Sequence, residues 1–154
     1  MAVKTRQDSL GFLLADVSRL MRHAFRQRLE GSSLTLAQAR ALIYVSRNEG
    51  IRQVELADML EIQPISLARL IDQLAEARLV ERRPDPSDRR AYKLFLEPEA
   101  AAHLSAIEQV ATSIRADALA GIDNHQAEAL LRALNTMRAN LAALPRRHAG
   151  EKSE

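Results

Sequence analysis

The sequence predicts a mainly α-helical protein interrupted once by a small β-hairpin. Three observations predict it. Apolar residues recur at helical three-and-four spacing in six separate stretches. One stretch, 79–97, loses that period and is crowded with turn formers. It sits between two short central helices and two long terminal ones, so the helices flank the hairpin on both sides. At 154 residues, 47% apolar and 27% charged, the chain can bury one real core and still present a solvated surface.

The first helix spans Leu10 to Leu29, with Leu10, Leu13, Leu14, Val17, Leu20, Met21, Phe25 and Leu29 on one stripe and Arg19, Arg22, Arg26 and Arg28 on the other face. Gly31-Ser32-Ser33 stops it. Thr35-x-x-Gln38 is a capping signature for the second helix, which Asn48-Glu49-Gly50 ends. A short third helix covers Gln53 to Leu60, with Val54, Leu56, Ala57 and Leu60 pointing inward. After the break Glu61-Ile62-Gln63-Pro64, a fourth helix covers Ile65 to Ala77, with proline suited to its first turn.

Leu79 to Arg83 reads as a strand, Pro84 to Asp88 as the turn and Tyr92 to Leu96 as the returning strand. The result is a hairpin with a long, polar, arginine-flanked tip. Pro98 at the first helical position opens the fifth helix, whose stripe is Leu104, Ile107, Ala111, Ile114 and Ala118, and Gly121 closes it. Asp123-x-x-Gln126 caps the sixth, with Ala127, Leu130, Leu134, Met137, Leu141 and Leu144 at near-heptad spacing. Beyond Pro145 the small, charged residues read as a flexible tail, 145–154.

Composition closes several function classes. There is no cysteine, which removes disulfide scaffolds, thiolate-bound zinc, iron–sulfur clusters and thiol redox sensing. Aromatic residues are 3% and tryptophan is absent, so an aromatic platform for single strands is excluded. His23, His103, His125 and His148 are scattered, and no metal-ligand spacing, phosphate-binding glycine loop or nucleophile elbow occurs. The acids Glu49, Glu55, Asp58 and Glu61 read as solvated helix surface. No catalytic residue, metal or cofactor is expected. The polar N-terminus and the apolar run ending at Asp16 fit neither a signal peptide nor a membrane span, so the expectation is a cytoplasmic protein.

The net charge of +2 names no partner, but its distribution does. From Arg78 to Lys93 six cations face three acids, whereas the wider stretch Arg52 to Lys93 balances eight against eight. On the fourth helix, at about 100° per residue, Leu67, Leu70, Ile71 and Leu74 gather in one sector. Ser66, Arg69 and Gln73 cluster well away from it. A helix that docks by one face and offers a hydroxyl, a guanidinium and an amide on the other suits a DNA major groove. A stiff hairpin carrying Arg89 and Arg90 suits the minor groove. The bland alternatives are a solvated helix face and an aggregation-resistant edge. The order helix, turn, helix, basic hairpin is the outline of a winged helix-turn-helix and favours DNA.

Gln53-Val-Glu-Leu-Ala-Asp-Met-Leu, Pro64-Ile-Ser-Leu-Ala-Arg-Leu-Ile-Asp-Gln-Leu, Leu79-Val-Glu-Arg and above all Asp85-Pro-Ser-Asp-Arg-Arg-Ala resemble the MarR/SlyA family of bacterial transcriptional regulators, over roughly Leu10 to Leu144. The resemblance implies a winged helix-turn-helix unit, 35–97, and a dimerisation region, 10–30 with 98–144, forming a homodimer on a pseudo-palindromic operator. It implies Ser66 and Arg69 in the major groove, Arg89 and Arg90 on the wing, and Asp88 holding the wing arginines, with Gln63 and Gln73 as further contacts. It also implies that small aromatic or anionic ligands lower DNA affinity; Arg19, Arg22, His23 and Arg26 are the candidate anion contacts, against a plain solvated cationic face. The chain departs from the family pattern at Arg52 (usually a hydroxyl cap), Arg78 (usually glycine) and Glu97 (often Thr or Ser). The function read from the chain is a dimeric repressor of transcription and not an enzyme. The competing class is a winged-helix module that binds proteins instead of DNA.

Overall fold

The computed structural model describes residues 9–145. In chain order the elements are α1 (Leu10–Arg28), α2 (Leu36–Arg47), β1 (Ile51–Arg52), α3 (Gln53–Leu60), α4 (Pro64–Glu76), β2 (Val80–Asp85), β3 (Asp88–Leu96), α5 (Ala100–Ala118) and α6 (Asn124–Ala142). The chain divides into two compact units, one running to Arg115 and the other from Ala116. Among the described residues, no helix is long and apolar enough to cross a membrane.

The first unit is built on one apolar cluster. Leu42 and Val45 of α2, Leu56 of α3, Leu67, Ile71 and Leu74 of α4, Leu79 and Val80, and Leu94 of β3 are its largest enclosed side chains. Ala100 and Ile107 of α5 pack against it. The sector read on the fourth helix is therefore the docking face: Leu67, Leu70, Ile71 and Leu74 are all buried. The Thr35/Gln38 capping box closes in both directions, with the hydroxyl accepting from the Gln38 amide at 3.2 Å and the Gln38 carbonyl oxygen accepting from the Thr35 amide at 2.9 Å.

Both helices of the helix-turn-helix end on a left-handed residue that is not glycine, Glu61 at φ 55° and Arg78 at φ 57°. After α4 the Leu79 amide reaches the Leu74 carbonyl at 2.9 Å and the Arg78 amide reaches Ala75 at 3.0 Å. That pair of bonds is a Schellman stop, which normally prefers glycine. Arg78 thus meets the expected αL conformation, with its Cβ penalty of about 1 kcal/mol, and buried Leu79 supplies the accompanying apolar contact.

The sheet departs from the sequence reading in two ways. It has three antiparallel strands in the order β1-β3-β2, and the two-residue β1 pairs Ile51 with Leu94 and Arg52 with Lys93. Two residues are too short to leave a period-two signature. The hairpin is also tighter than expected: β2 continues through Pro84 to Asp85 and β3 starts at Asp88, so only Pro86 and Ser87 lie between them. Pro84 is tolerated because β2 is an edge strand, where a missing amide breaks no ladder. Neither Pro86 nor Ser87 has positive φ. The turn is therefore not one of the primed types that match strand twist, and a bulge between Pro84 and Asp85 absorbs the difference. Regular pairing ends at Pro84 and Tyr92, so Arg89 and Arg90, although within β3, lie in a stretch without a partner across the ladder.

Three smaller expectations change. Val54 is 63% exposed, not inward-facing, because an eight-residue helix docks on only Leu56, Ala57 and Leu60. Pro98 stands two residues ahead of α5 instead of at its first position. On α5, Ile107 and Ile114 are buried, whereas Ala111 and Ala118 are exposed. In the second unit, the Asp123/Gln126 capping box opens α6, and Ala127 is the residue α6 buries. The tail reading falls almost entirely on 146–154, outside the described residues, as does His148.

Candidate nucleic-acid interface

The face of α4 opposite its docking sector carries Gln63, Ser66, Arg69 and Gln73, all exposed. Gln63 precedes the helix, and Pro64 at its first position costs no hydrogen bond there. The Gln73 carbonyl oxygen accepts from the Gln38 side chain at 3.1 Å, which leaves the Gln73 amino group as the donor it presents outward. Ile65, which the sequence reading left unassigned, is 66% exposed and lies about 40° around the helix from Arg69. The signal for it was available: on the same wheel it stands opposite the buried sector.

The hairpin arginines divide into two classes. Arg82 is consumed by the fold. Its guanidinium donates to Gln53 at 2.8 Å, to Asp72 at 2.6 Å and to the Ala68 carbonyl at 2.9 Å, tying the wing to α3 and α4. Arg83 pairs with Glu81 at 2.9 Å and lies 4.1 Å over the Phe95 ring. By contrast, the guanidinium groups of Arg69, Arg89 and Arg90 have no hydrogen-bond or ion-pair partner among the described residues. A charge count could not separate these classes, because it does not see which cations already have partners.

The acids of the wing also differ from expectation. Asp88 does not hold an arginine side chain; its carboxylate accepts from the Arg90 backbone amide at 2.9 Å. The carboxylate that grips a guanidinium is Asp85, 2.8 Å from Arg52 Nε, and it is the buried polar residue of the unit. Its other oxygen accepts from the Ser87 amide at 2.9 Å and the Ser87 hydroxyl at 2.8 Å. Those two bonds, with the Arg52 charge adding, hold its pKa down to about 2. The stability this contributes is fully present above the ordinary carboxylate pKa and is lost only as pH falls toward about 2.

The start of α4 and the wing face each other across a cleft of about 270 Å³, lined among others by Arg52, Gln53, Val54, Pro64, Arg90 and Tyr92. The first-helix cations are not gathered in this way. Arg19 pairs with Asp16 at 3.5 Å, Arg22 donates to Ser18 at 2.7 Å and His23 is exposed. Of the four candidate effector contacts, Arg26 lines a cavity of about 510 Å³ shared with Leu29, Leu34, Thr35 and Arg40. Among the described residues no group of three potential metal ligands occurs.

Residues 32–91 match the model of the MarR family. Solved structures share the fold over most of the chain. A MarR transcriptional regulator from Methanosarcina mazei Go1 is 24% identical, covers 85% of this chain and 94% of its own, and superposes with a TM-score of 0.76. A structure described as MarR is 27% identical over 89% of this chain and 92% of its own, with a TM-score of 0.76. A cysteine mutant of MarR from E. coli, solved in complex with operator DNA, is 24% identical over 83% and 92%, with a TM-score of 0.67.

Proposed function

We propose that the chain is a MarR-family transcriptional regulator, a reading supported by the match of residues 32–91 and by the shared fold, and that it acts as a homodimeric repressor on a pseudo-palindromic DNA operator. Members of the family regulate transcription and are not enzymes. One observation carries the DNA reading: Arg69, Arg89 and Arg90 are exposed, with guanidinium groups that have no partner among the described residues, on the two elements that border one cleft. Guanidinium groups left free in this way match phosphate oxygens and guanine edges.

In this reading 35–97 is the DNA-binding unit. Ser66 and Arg69 meet base edges in the major groove, Gln73 offers its amino group to a base or phosphate acceptor, and Gln63 contacts the backbone at the helix start. Ile65 suits a thymine methyl group. Arg89 and Arg90 serve the wing, with Asp88 fixing the backbone at Arg90. The regions 10–30 and 98–144 form the dimer, supported by the exposed apolar residues of α1 and by Leu130, Leu131 and Leu141 of α6. The protein works in the cytoplasm, where its operator is. A small anionic or aromatic ligand acts at the first-helix cations Arg19, Arg22, His23 and Arg26, with the cavity beside Arg26 and Arg40 as its entry. A tenfold loss of DNA affinity on binding it corresponds to about 1.4 kcal/mol of coupling, which DNA returns in full on the ligand.

Duplex affinity measured against salt tests the reading. The logarithm of the binding constant falls linearly with log salt, by about 0.9 per neutralised phosphate. Equally weak binding to operator and random duplex would favour the protein-interaction module instead. Within the site, Arg69→Ala relaxes base preference at one position of each half-site by roughly 1–3 kcal/mol, read by competition between single-base operator variants. Unchanged preference removes Arg69 from base reading.

A further inference from the structure

We propose that Arg52 is a positioning residue for the wing, a clamp that holds the hairpin tip so that Arg90 meets DNA already in place. The inference rests on the DNA-binding reading and adds to it a residue with no part in the recognition helix or the wing strands. Arg52 stands at the N-cap of α3, where an oxygen side chain would accept from the first-turn amides. A guanidinium has no acceptor and cannot do so. Only the reciprocal bond survives there, with the Glu55 carboxylate accepting from the Arg52 amide at 3.1 Å. The chain has given up half of a cap at this position, and the contacts of the side chain show what replaces it.

Those contacts lie more than thirty residues away in sequence. Arg52 Nε donates to Asp85 at 2.8 Å, and a terminal nitrogen donates to the Ser87 hydroxyl at 3.2 Å. Asp85 and Ser87 flank Pro86 at the hairpin turn, and their own hydrogen bonds leave the Asp85 side chain 1% exposed. The clamp is needed because β1 pairs only opposite Leu94 and Lys93. Beyond that point the wing is a two-stranded ribbon, which is marginally stable alone. Arg52 and Arg90 line the same cleft against the start of α4. Fixing the tip there spares DNA binding the entropy of ordering it. The Arg52 side chain is itself 40% exposed and lies outside the apolar cluster, so its loss frees the tip without opening the core.

A double-mutant cycle on the full chain tests this with an operator duplex obtained by selection from a random pool. Arg52→Met keeps the apolar stem and removes the donors. It weakens binding about tenfold in the wild-type background and less than twofold in the Arg90→Ala background, because the clamp acts through Arg90. Asp85→Asn, which cannot accept from Arg52 on its amide nitrogen, gives the same pattern and serves if Arg52→Met folds poorly. Equal losses in both backgrounds, with a salt slope lowered by about one phosphate, would make Arg52 a direct DNA contact and overturn the proposal. Amide hydrogen exchange at Ser87 and Arg90 without DNA is an independent readout: Arg52→Met speeds it, and unchanged protection overturns the clamp. If the wild-type chain binds no duplex, the DNA reading fails, while exchange still decides whether Arg52 holds the tip.

Discussion

Replacing Arg89 and Arg90 together with alanine is expected to weaken operator binding by at least a hundredfold while leaving the melting temperature nearly unchanged. Each guanidinium is exposed and has no partner among the described residues. Removing both costs the folded state little, in line with surface substitutions that stay within about 0.5 kcal/mol. A hydrogen bond to a charged group contributes about 1.5–3 kcal/mol, and 1.4 kcal/mol is a factor of ten. Two such contacts therefore span roughly two to four decades of affinity. Arg90 lines the cleft beside the start of α4. If each guanidinium neutralises one phosphate, their joint loss lowers the salt slope by about 1.8. Filter binding at several salt concentrations measures both effects; unchanged affinity and slope would remove the wing from the interface.

The second large effect concerns α1. Leu13→Glu with Val17→Glu is expected to turn a dimer into single subunits and to cut affinity for an inverted repeat at least a hundredfold. No residue of α1 is buried, and Leu10, Phe12, Leu13, Leu14, Val17, Leu20 and Met21 are all exposed large apolar side chains. Helices in proteins draw most of their stability from packing one face, α1 buries no residue within its own chain, and an apolar face of this kind marks an interface. Leu13 and Val17 are one helical turn apart on it. A second copy would satisfy the face by two-fold symmetry, and the same symmetry would bring two recognition helices to one duplex. Linked binding contributes about two to four decades over a lone unit. Sedimentation equilibrium distinguishes the outcomes. A variant that keeps the mass of two subunits would place the interface elsewhere.

Much of the architecture was legible because helical period and caps are local signals. Thr35 with Gln38 and Asp123 with Gln126 form the capping boxes their spacing announces. The sector of Leu67, Leu70, Ile71 and Leu74 is buried because thirteen residues are long enough for one face to dominate. Eight residues were not enough for α3, where Val54 fits the period yet meets solvent. Pro84 misled for a different reason: proline forbids the interior of a helix, but a strand only in the middle of a sheet, and β2 is at the edge.

The candidate site was legible as residue types on a face and illegible as contacts. The exposure of Ser66, Arg69 and Gln73 follows from the helix wheel alone. That Arg82 is bound by Gln53, Asp72 and Ala68, and that Asp85 instead of Asp88 grips an arginine, are pairings between separate elements. No spacing in the chain encodes them. The departure at Arg52, which in sequence is only a lost cap, acquires its reason once Asp85 and Ser87 lie beside it.

Selection of bound duplexes from a random pool, with the purified chain, tests the central claim most directly. Two recognition helices related by a two-fold axis predict an inverted repeat whose half-sites are centred about 10 base pairs apart or a multiple of that. A pool that gains no sequence preference, or that converges on a single asymmetric site, would contradict it.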